Sequence, residues 1–254
     1  MVQAVDVTSF ITASDASSKA FKTATLLKTL TVNALIMGES GVGKTSLASF
    51  ILPNASVVDA SNFKELLLVI DNSSEIIITN IDNSPNMKVL IDSIISNNVR
   101  VIATSKQILS NDYIDELFSV KFEIEPLSKR LEDVKLLIQR FSSEASSLFG
   151  ENNNIVIDNI EPDLSKNSHS LRRQVMINYL LQDIKDVELM NIVQNYIAPK
   201  LGSNNDYKSF LYLYEAPLIR AGLKKYKSQL QLSDRLGLNR NTLRKKITDN
   251  KEYL

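Results

Sequence analysis

Between Gly38 and Thr45 the chain reads GESGVGKT, a G-x-x-x-x-G-K-[ST] loop. An apolar run, Asn33–Met37, leads into it, and the helix-period stretch GKTSLASFIL leads out. Glycines at these positions let the backbone curl until several N–H groups face one point, and the following helix adds its positive end. That arrangement suits a phosphate. Lys44 then reaches the β- and γ-phosphates, and the Thr45 hydroxyl is placed for Mg²⁺. The candidate nucleotide set is Gly38, Glu39, Ser40, Gly41, Val42, Gly43, Lys44, Thr45 and Ser46. The pattern points to ATP or ADP and says little about hydrolysis. A glycine-rich turn without a ligand is the other reading of the same residues.

A strand–loop–helix start constrains what can follow. Four more β-branched or apolar runs appear, at 56–60 (SVVDA), 75–79 (EIIIT), 99–104 (VRVIAT) and 120–125 (VKFEIE). Helix-period segments NFKELLLVI, NMKVLIDSIIS and NDYIDELF lie between them. Strands alternating with helices predict an α/β fold, a parallel sheet of about five strands with helices on both faces. After Pro126 the pattern turns helical. ENNNIVIDNIEPDL interrupts it, and 198–210 (APKLGSNNDYKSF) reads as a linker.

Composition excludes some classes. There is no Cys, so disulfides and thiolate metal sites are out. His169 is the single His and has no cluster of acids in the sequence around it. No apolar run approaches the ~20 residues of a membrane span, and MVQAVDVTSF lacks the basic start and apolar core of a signal peptide. No membrane partner is expected, and a cytoplasmic location is the default.

Formal net charge is +0, yet it is unevenly spread. From Arg220 to Leu254 ten Lys and Arg face only Asp234, Asp249 and Glu252. A basic end on an acidic body suits a polyanion; a solvated helical surface is the bland alternative. Within that end, Gln229–Leu236 has helix spacing with Leu230, Leu232 and Leu236 apolar. Gly237-Leu238-Asn239 gives a tight turn, and Asn239 can cap the helix that begins at Arg240. Leu243 and Ile247 face inward. Arg240, Asn241, Thr242, Arg244, Lys245 and Lys246 are left mainly outward. This is helix-turn-helix geometry with a basic second helix fit for the major groove of double-stranded DNA. Arg240, Asn241, Thr242 and Arg244 are expected near bases or adjacent phosphates, and Lys245 and Lys246 toward the backbone.

These motifs together resemble the NtrC-like sigma-54 activators (bacterial enhancer-binding proteins) of the AAA+ class. Their phosphate loop reads G-E-S-G-x-G-K, as here. The resemblance runs on through VRVIATSKQIL, like a sensor-I strand with Thr104 or Ser105 near the γ-phosphate, and through DELFSVKFEIEPLSKRLEDVKLL to about Phe141. SHSLRRQ stands where that family has its sensor-II motif, which implies Arg172 or Arg173 over the phosphates; a surface helix residue is the alternative for Arg172. SDRLGLNRNTLRKKI is similar to the Fis-type domain that ends such activators, departing mainly at Ser233. YEAPLIRAGLKKY looks like the helix that pairs two such domains, implying a homodimer. The implied layout is a P-loop AAA+-like α/β domain at 1–140, a small helical lid at 141–200, and an all-α Fis-type helix-turn-helix at 201–254.

Several family features are missing. The second strand of the family ends D-E-I-G-D-M-P; laid on TNIDNSP, the Mg²⁺ carboxylate falls on Thr79 and the catalytic Glu on Asn80. Asp82, three residues further on, is the substitute metal partner. The arginines that act across the ring interface fall on Ile114 and Val120. About thirty residues separate Thr45 from Glu75, without a GAFTGA loop, and about thirty precede the first strand, without room for a receiver domain. An arginine finger alone is worth ~10³–10⁵ in rate where it acts, so negligible ring-type hydrolysis is expected. Three readings stay open: a DNA-binding transcriptional regulator that holds ATP or ADP, an active ATPase that remodels a partner with Asp82 on the metal, and an adaptor with a vestigial loop. Contact with RNA polymerase or a sigma factor through another surface also stays open.

Overall fold

The computed structural model describes residues 10–110, 112–150, 161–226 and 228–254. The first nine residues, Asn111 in NDYIDELF, the ENNNIVIDNI part of the interruption and Lys227 of the basic end lie outside the described residues. The chain divides into two compact units, Met1–Asp183 and Ile184–Leu254.

The first unit is built on five parallel strands: β1 (Ala34–Met37), β2 (Ser56–Asp59), β3 (Glu75–Thr79), β4 (Arg100–Ser105) and β5 (Val120–Glu123), in the order β2-β3-β4-β1-β5. Side chains alternate across a strand, and here both alternating sets are apolar. Leu35, Met37, Ile76, Ile78, Val101 and Ala103 point to one face. Ala34, Ile36, Ile77 and Ile102 point to the other. Such a sheet must be covered twice. Full burial of one Leu or Ile is worth roughly 1.5–3 kcal/mol, so either face left bare would forfeit several such terms.

Helices supply both covers. One face packs against α1 (Asp15–Thr29) and α2 (Lys44–Ile51), the other against α3 (Phe63–Asp71), α4 (Met87–Ser96) and α5 (Asp112–Leu117). Ile114 is fully buried on α5 and Val120 packs at the start of β5, so the two positions that a ring arginine would take are packing positions. The helix α1 is absent from the sequence reading. Its buried stripe is Ser17, Ala20, Ala24 and Leu27, too small and too polar to register as an apolar face. Ser14 caps it, its Oγ accepting from Ser17 N–H at 3.2 Å.

Two further helices complete the unit, α6 (Leu131–Phe149) and α7 (Ser168–Leu181), joined through a core of Leu127, Val134, Ile138, Phe141, Leu171 and Val175. The next helix, α8 (Asp186–Ile197), belongs to the second unit, so the 141–200 segment is divided between the two. The segment read as a linker carries a 3₁₀ turn, Ala198–Lys200, and a short helix α9 (Asp206–Phe210).

The second unit continues with α10 (Tyr212–Tyr226), α11 (Gln229–Leu236) and α12 (Arg240–Asp249). Its core is Ile219, Leu232 and Leu243, with Leu236 and Ile247 packed around it. Of the apolar positions of α11, Leu230 is 53% exposed, because Leu232 and Ser233 take the buried face. Ser233 is buried by donating its Oγ–H to Leu230 O at 2.8 Å. A Cβ on Gly222 would stand 2.3 Å from Leu232 Cδ1, so glycine is what lets α10 and α11 approach.

Candidate functional site

The loop Gly38–Thr45 leaves β1 at the carboxyl edge of the sheet, where ligands of open α/β sheets bind. Gly38, Gly41 and Gly43 all have positive φ, at 139°, 81° and 103°. At Gly41 an added Cβ would also lie 2.7 Å from Lys166 O. Lys44 is buried and its Nζ donates to Gly38 O at 2.6 Å and Glu39 O at 2.7 Å. Burial lowers its pKa to about 8, with Lys106 adding to the shift while Asp82 and Glu39 oppose it. The lysine is thus folded back on the loop, a cation awaiting an anion.

A cavity of about 290 Å³ opens over this loop. Ser40, Gly41, Gly43, Lys44, Thr45 and Ser46 form its floor. Its walls are Thr79, Asn80, Thr104, Lys106, Ser168 and His169. Of the sensor-I pair, Thr104 faces the cavity, while Ser105 bonds within its own turn, its Oγ–H donating to Gln107 O at 2.7 Å. Asn80 is held from two sides: its N–H donates to Thr104 Oγ1 at 3.2 Å, and its Nδ2 donates to Asp59 Oδ2 at 2.6 Å. A carboxylate only accepts, so this bond fixes the amide and turns its acceptor oxygen away from Asp59.

The outer side of the loop is clamped by the turn before α7. Ser168 donates both its N–H (3.1 Å) and its Oγ–H (2.6 Å) to Gly41 O. Asn167 donates Nδ2 to Ser40 O at 3.0 Å and to Glu39 Oε2 at 2.9 Å, and its Oδ1 accepts from Leu127 N–H at 2.8 Å. Deeper in, Asp133 accepts from Ala13 N–H (2.8 Å), Ser14 N–H (2.9 Å) and Ser17 Oγ–H (3.0 Å). It pairs with Arg130 at 3.3 Å, whose Nη2 donates to Val42 O at 3.0 Å. Both side chains of the pair are essentially buried. One loop is therefore tied to the start of α1, to α6 and to α7.

Arg172 lies on the neighbouring side. It lines a second cleft with Phe10, Gly41, Val42, Gly43 and Ser46, and not the cavity around Lys44 and Thr45. Its guanidinium forms a two-point pair with Glu144, with Nε–Oε2 at 3.0 Å. That hydrogen bond raises its pKa, against a smaller opposing effect of burial. Asp82 follows Asn80 in a 3₁₀ turn and accepts the Lys106 N–H at 3.3 Å; it does not line the cavity either.

In the second unit α11, the Gly237 turn and α12 follow one another as expected. Gly237 has φ 63°, and Asn239 caps α12, its Oδ1 accepting from Asn241 N–H at 2.8 Å. Arg240, Asn241, Thr242, Arg244 and Lys245 are exposed. Lys246 differs: it is half-buried and forms an ion pair with Glu215 of α10. Its charge is paired inside the unit. Sequence reasoning missed Lys106, Asn167 and Ser168. Lys106 was within reach, since it directly follows a strand that ends at the loop; the other two lie more than 120 residues from the carbonyls they bond.

No protein-family model matches the sequence, and no curated protein does. Solved structures do match. NtrX from Brucella abortus in complex with ADP aligns over 96% of this chain and 69% of its own, at 16% identity and a TM-score of 0.63. The same protein in complex with ATP aligns over 95% and 69%, at 16% identity and 0.58. The chain has the AAA+ fold. Its five-stranded parallel sheet with helices on both faces is the P-loop α/β form of that fold. Among the described residues no helix is long and apolar enough to cross a membrane.

Proposed function

We propose that this chain is a DNA-binding transcriptional regulator whose AAA+ unit binds ATP or ADP as a conformational ligand and hydrolyses it negligibly. The nucleotide claim rests on the buried Lys44 poised on its own loop below a polar cavity. The loop's ties to α1, α6 and α7 give the polyphosphate something to move. A ligand that displaces Lys44 from Gly38 O and Glu39 O acts on a loop whose Ser40, Gly41 and Val42 carbonyls hold the α7 turn and Arg130. A ligand shifts an equilibrium only through such differential contacts. The NtrX structures that share the fold hold ADP and ATP, which supports the same reading here.

Negligible hydrolysis follows from the groups around the cavity. Thr79 and Asn80 stand where a metal carboxylate and a general base would be needed, and Asn80 is uncharged and pinned by Asp59. Phosphate release by the purified chain is expected to equal that of Lys44→Ala. Release well above that variant would move the assignment to an active ATPase.

The DNA claim rests on one observation, the capped basic α12 presenting Arg240, Asn241, Thr242, Arg244 and Lys245 after a tight Gly237 turn. Binding as a homodimer through the second unit is part of the proposal. Helix α8 buries none of its residues, and an open apolar trough of about 1090 Å³ runs past Leu189, Met190, Val193, Phe210 and Leu218. A salt titration of duplex binding tests the core of the proposal: affinity should fall steeply with salt, and no binding to any duplex at low salt would end it.

A further inference from the structure

The usual plan of a phosphate loop adds a divalent cation beside the loop hydroxyl, ligated by a carboxylate from a neighbouring strand end. The donor set here does not fit that ion. Among the described residues no carboxylate lines the cavity, and its wall at the end of β3 is Thr79 and Asn80. The acids nearby are committed elsewhere. Asp59 accepts from Asn80 Nδ2 at 2.6 Å and from Ser61 Oγ–H at 2.6 Å. Glu39 accepts from Asn167 Nδ2 at 2.9 Å, and Asp82 from Lys106 N–H at 3.3 Å.

What the cavity does carry is a second lysine. Lys106 lines the same cavity as Lys44 and Thr45, just past the end of β4. The two lysines line one cavity, and the Lys106 charge acts against that of Lys44 while Asp82 and Glu39, outside the lining, act in its favour. Mg²⁺ takes oxygen ligands and sheds water reluctantly. Among the described residues that line this cavity it would meet two ammonium groups and no carboxylate oxygen.

We propose that this cavity binds the polyphosphate of its nucleotide without a divalent cation, with Lys106 neutralising the terminal phosphate in the metal's place. The inference rests on the nucleotide-binding reading of the loop and adds two things to it: independence from Mg²⁺, and a residue that tells a triphosphate from a diphosphate. Lys106 is exposed on a turn, so replacing it leaves the core untouched.

Calorimetry on the full chain separates the outcomes, with ATP and ADP each titrated in EDTA and in excess Mg²⁺. Wild-type protein should bind ATP in EDTA at least as tightly as with Mg²⁺. Lys106→Gln should weaken ATP by about tenfold or more in EDTA, the low end of a hydrogen bond to a charged group, and ADP far less; Lys106→Arg should restore most of the loss. ATP binding that needs Mg²⁺, or a Lys106→Gln effect equal for both nucleotides, overturns the inference and leaves nucleotide binding standing. Absence of binding in every condition removes both.

Discussion

Glu215 pairs with a lysine of the helix proposed to bind DNA, and its removal should be visible in a salt titration. The Glu215 carboxylate on α10 pairs with Lys246 on α12, their side chains 15% and 28% exposed. In that pair Lys246 contributes no net charge to the face that carries Arg240, Arg244 and Lys245. Glu215→Gln keeps the shape and an acceptor oxygen but removes one negative charge per copy. If Lys246 then engages one phosphate, the slope of log affinity against log salt steepens by about 0.9 per copy, or about 1.8 for a dimer. Per copy that makes the loss of affinity between 50 and 200 mM salt about 3.5-fold larger. The folding cost is small, about 1 kcal/mol or less for a pair with this exposure and a retained hydrogen bond. Fluorescence anisotropy with a labelled duplex at four or five salt concentrations reads the slope, and a thermal melt confirms the fold. Tighter low-salt binding with a steeper slope is the expected result. An unchanged or shallower slope in a folded variant would show that Lys246 lies outside the DNA footprint even when freed, and the electrostatic reasoning would be wrong.

Two further outcomes follow from the buried groups of the first unit. Asp133→Ala leaves Arg130 as an uncompensated buried charge and strips acceptors from Ala13, Ser14 and Ser17; a loss of about 3–5 kcal/mol is expected, measured by urea unfolding, and a loss below about 1 kcal/mol would contradict the latch. Lys44, lowered by burial to about 8, should lose its proton as pH rises through that value, so ATP affinity should fall above about pH 8. The sign for stability is opposite: between about 8 and the ordinary lysine value the unfolded chain holds the proton and the folded one does not, so folding strengthens with pH there. Lys44→Met should abolish both trends, and a flat binding profile from pH 7 to 9.5 would refute the assignment.

Much of the first unit was legible because its signals are local. Each strand lies in a short β-branched or apolar run, and each covering helix but α1 carries large apolar residues at helical spacing. The loop glycines were legible too, since positive φ and a crowded backbone admit little else at Gly41. The helix α1 escaped because its buried stripe of Ser17, Ala20, Ala24 and Leu27 becomes an interface only when it meets α2 and the sheet. The position of Arg172 escaped because a neighbouring helix offers Glu144, a partner 28 residues away.

The amino-acid sequence by itself determined an alternating α/β chain, a phosphate loop at the edge of its sheet, and a basic capped helix after a tight turn. All of these depend on residues within a few positions of one another. Only the tertiary structure decided which charges are available. It brought Asp59 onto Asn80, Asp82 onto the Lys106 backbone, Glu215 onto Lys246, and Lys106 into the cavity that Lys44 lines. Charges act through space, and these partners are separated by 21 to 62 residues of chain that the fold alone removes.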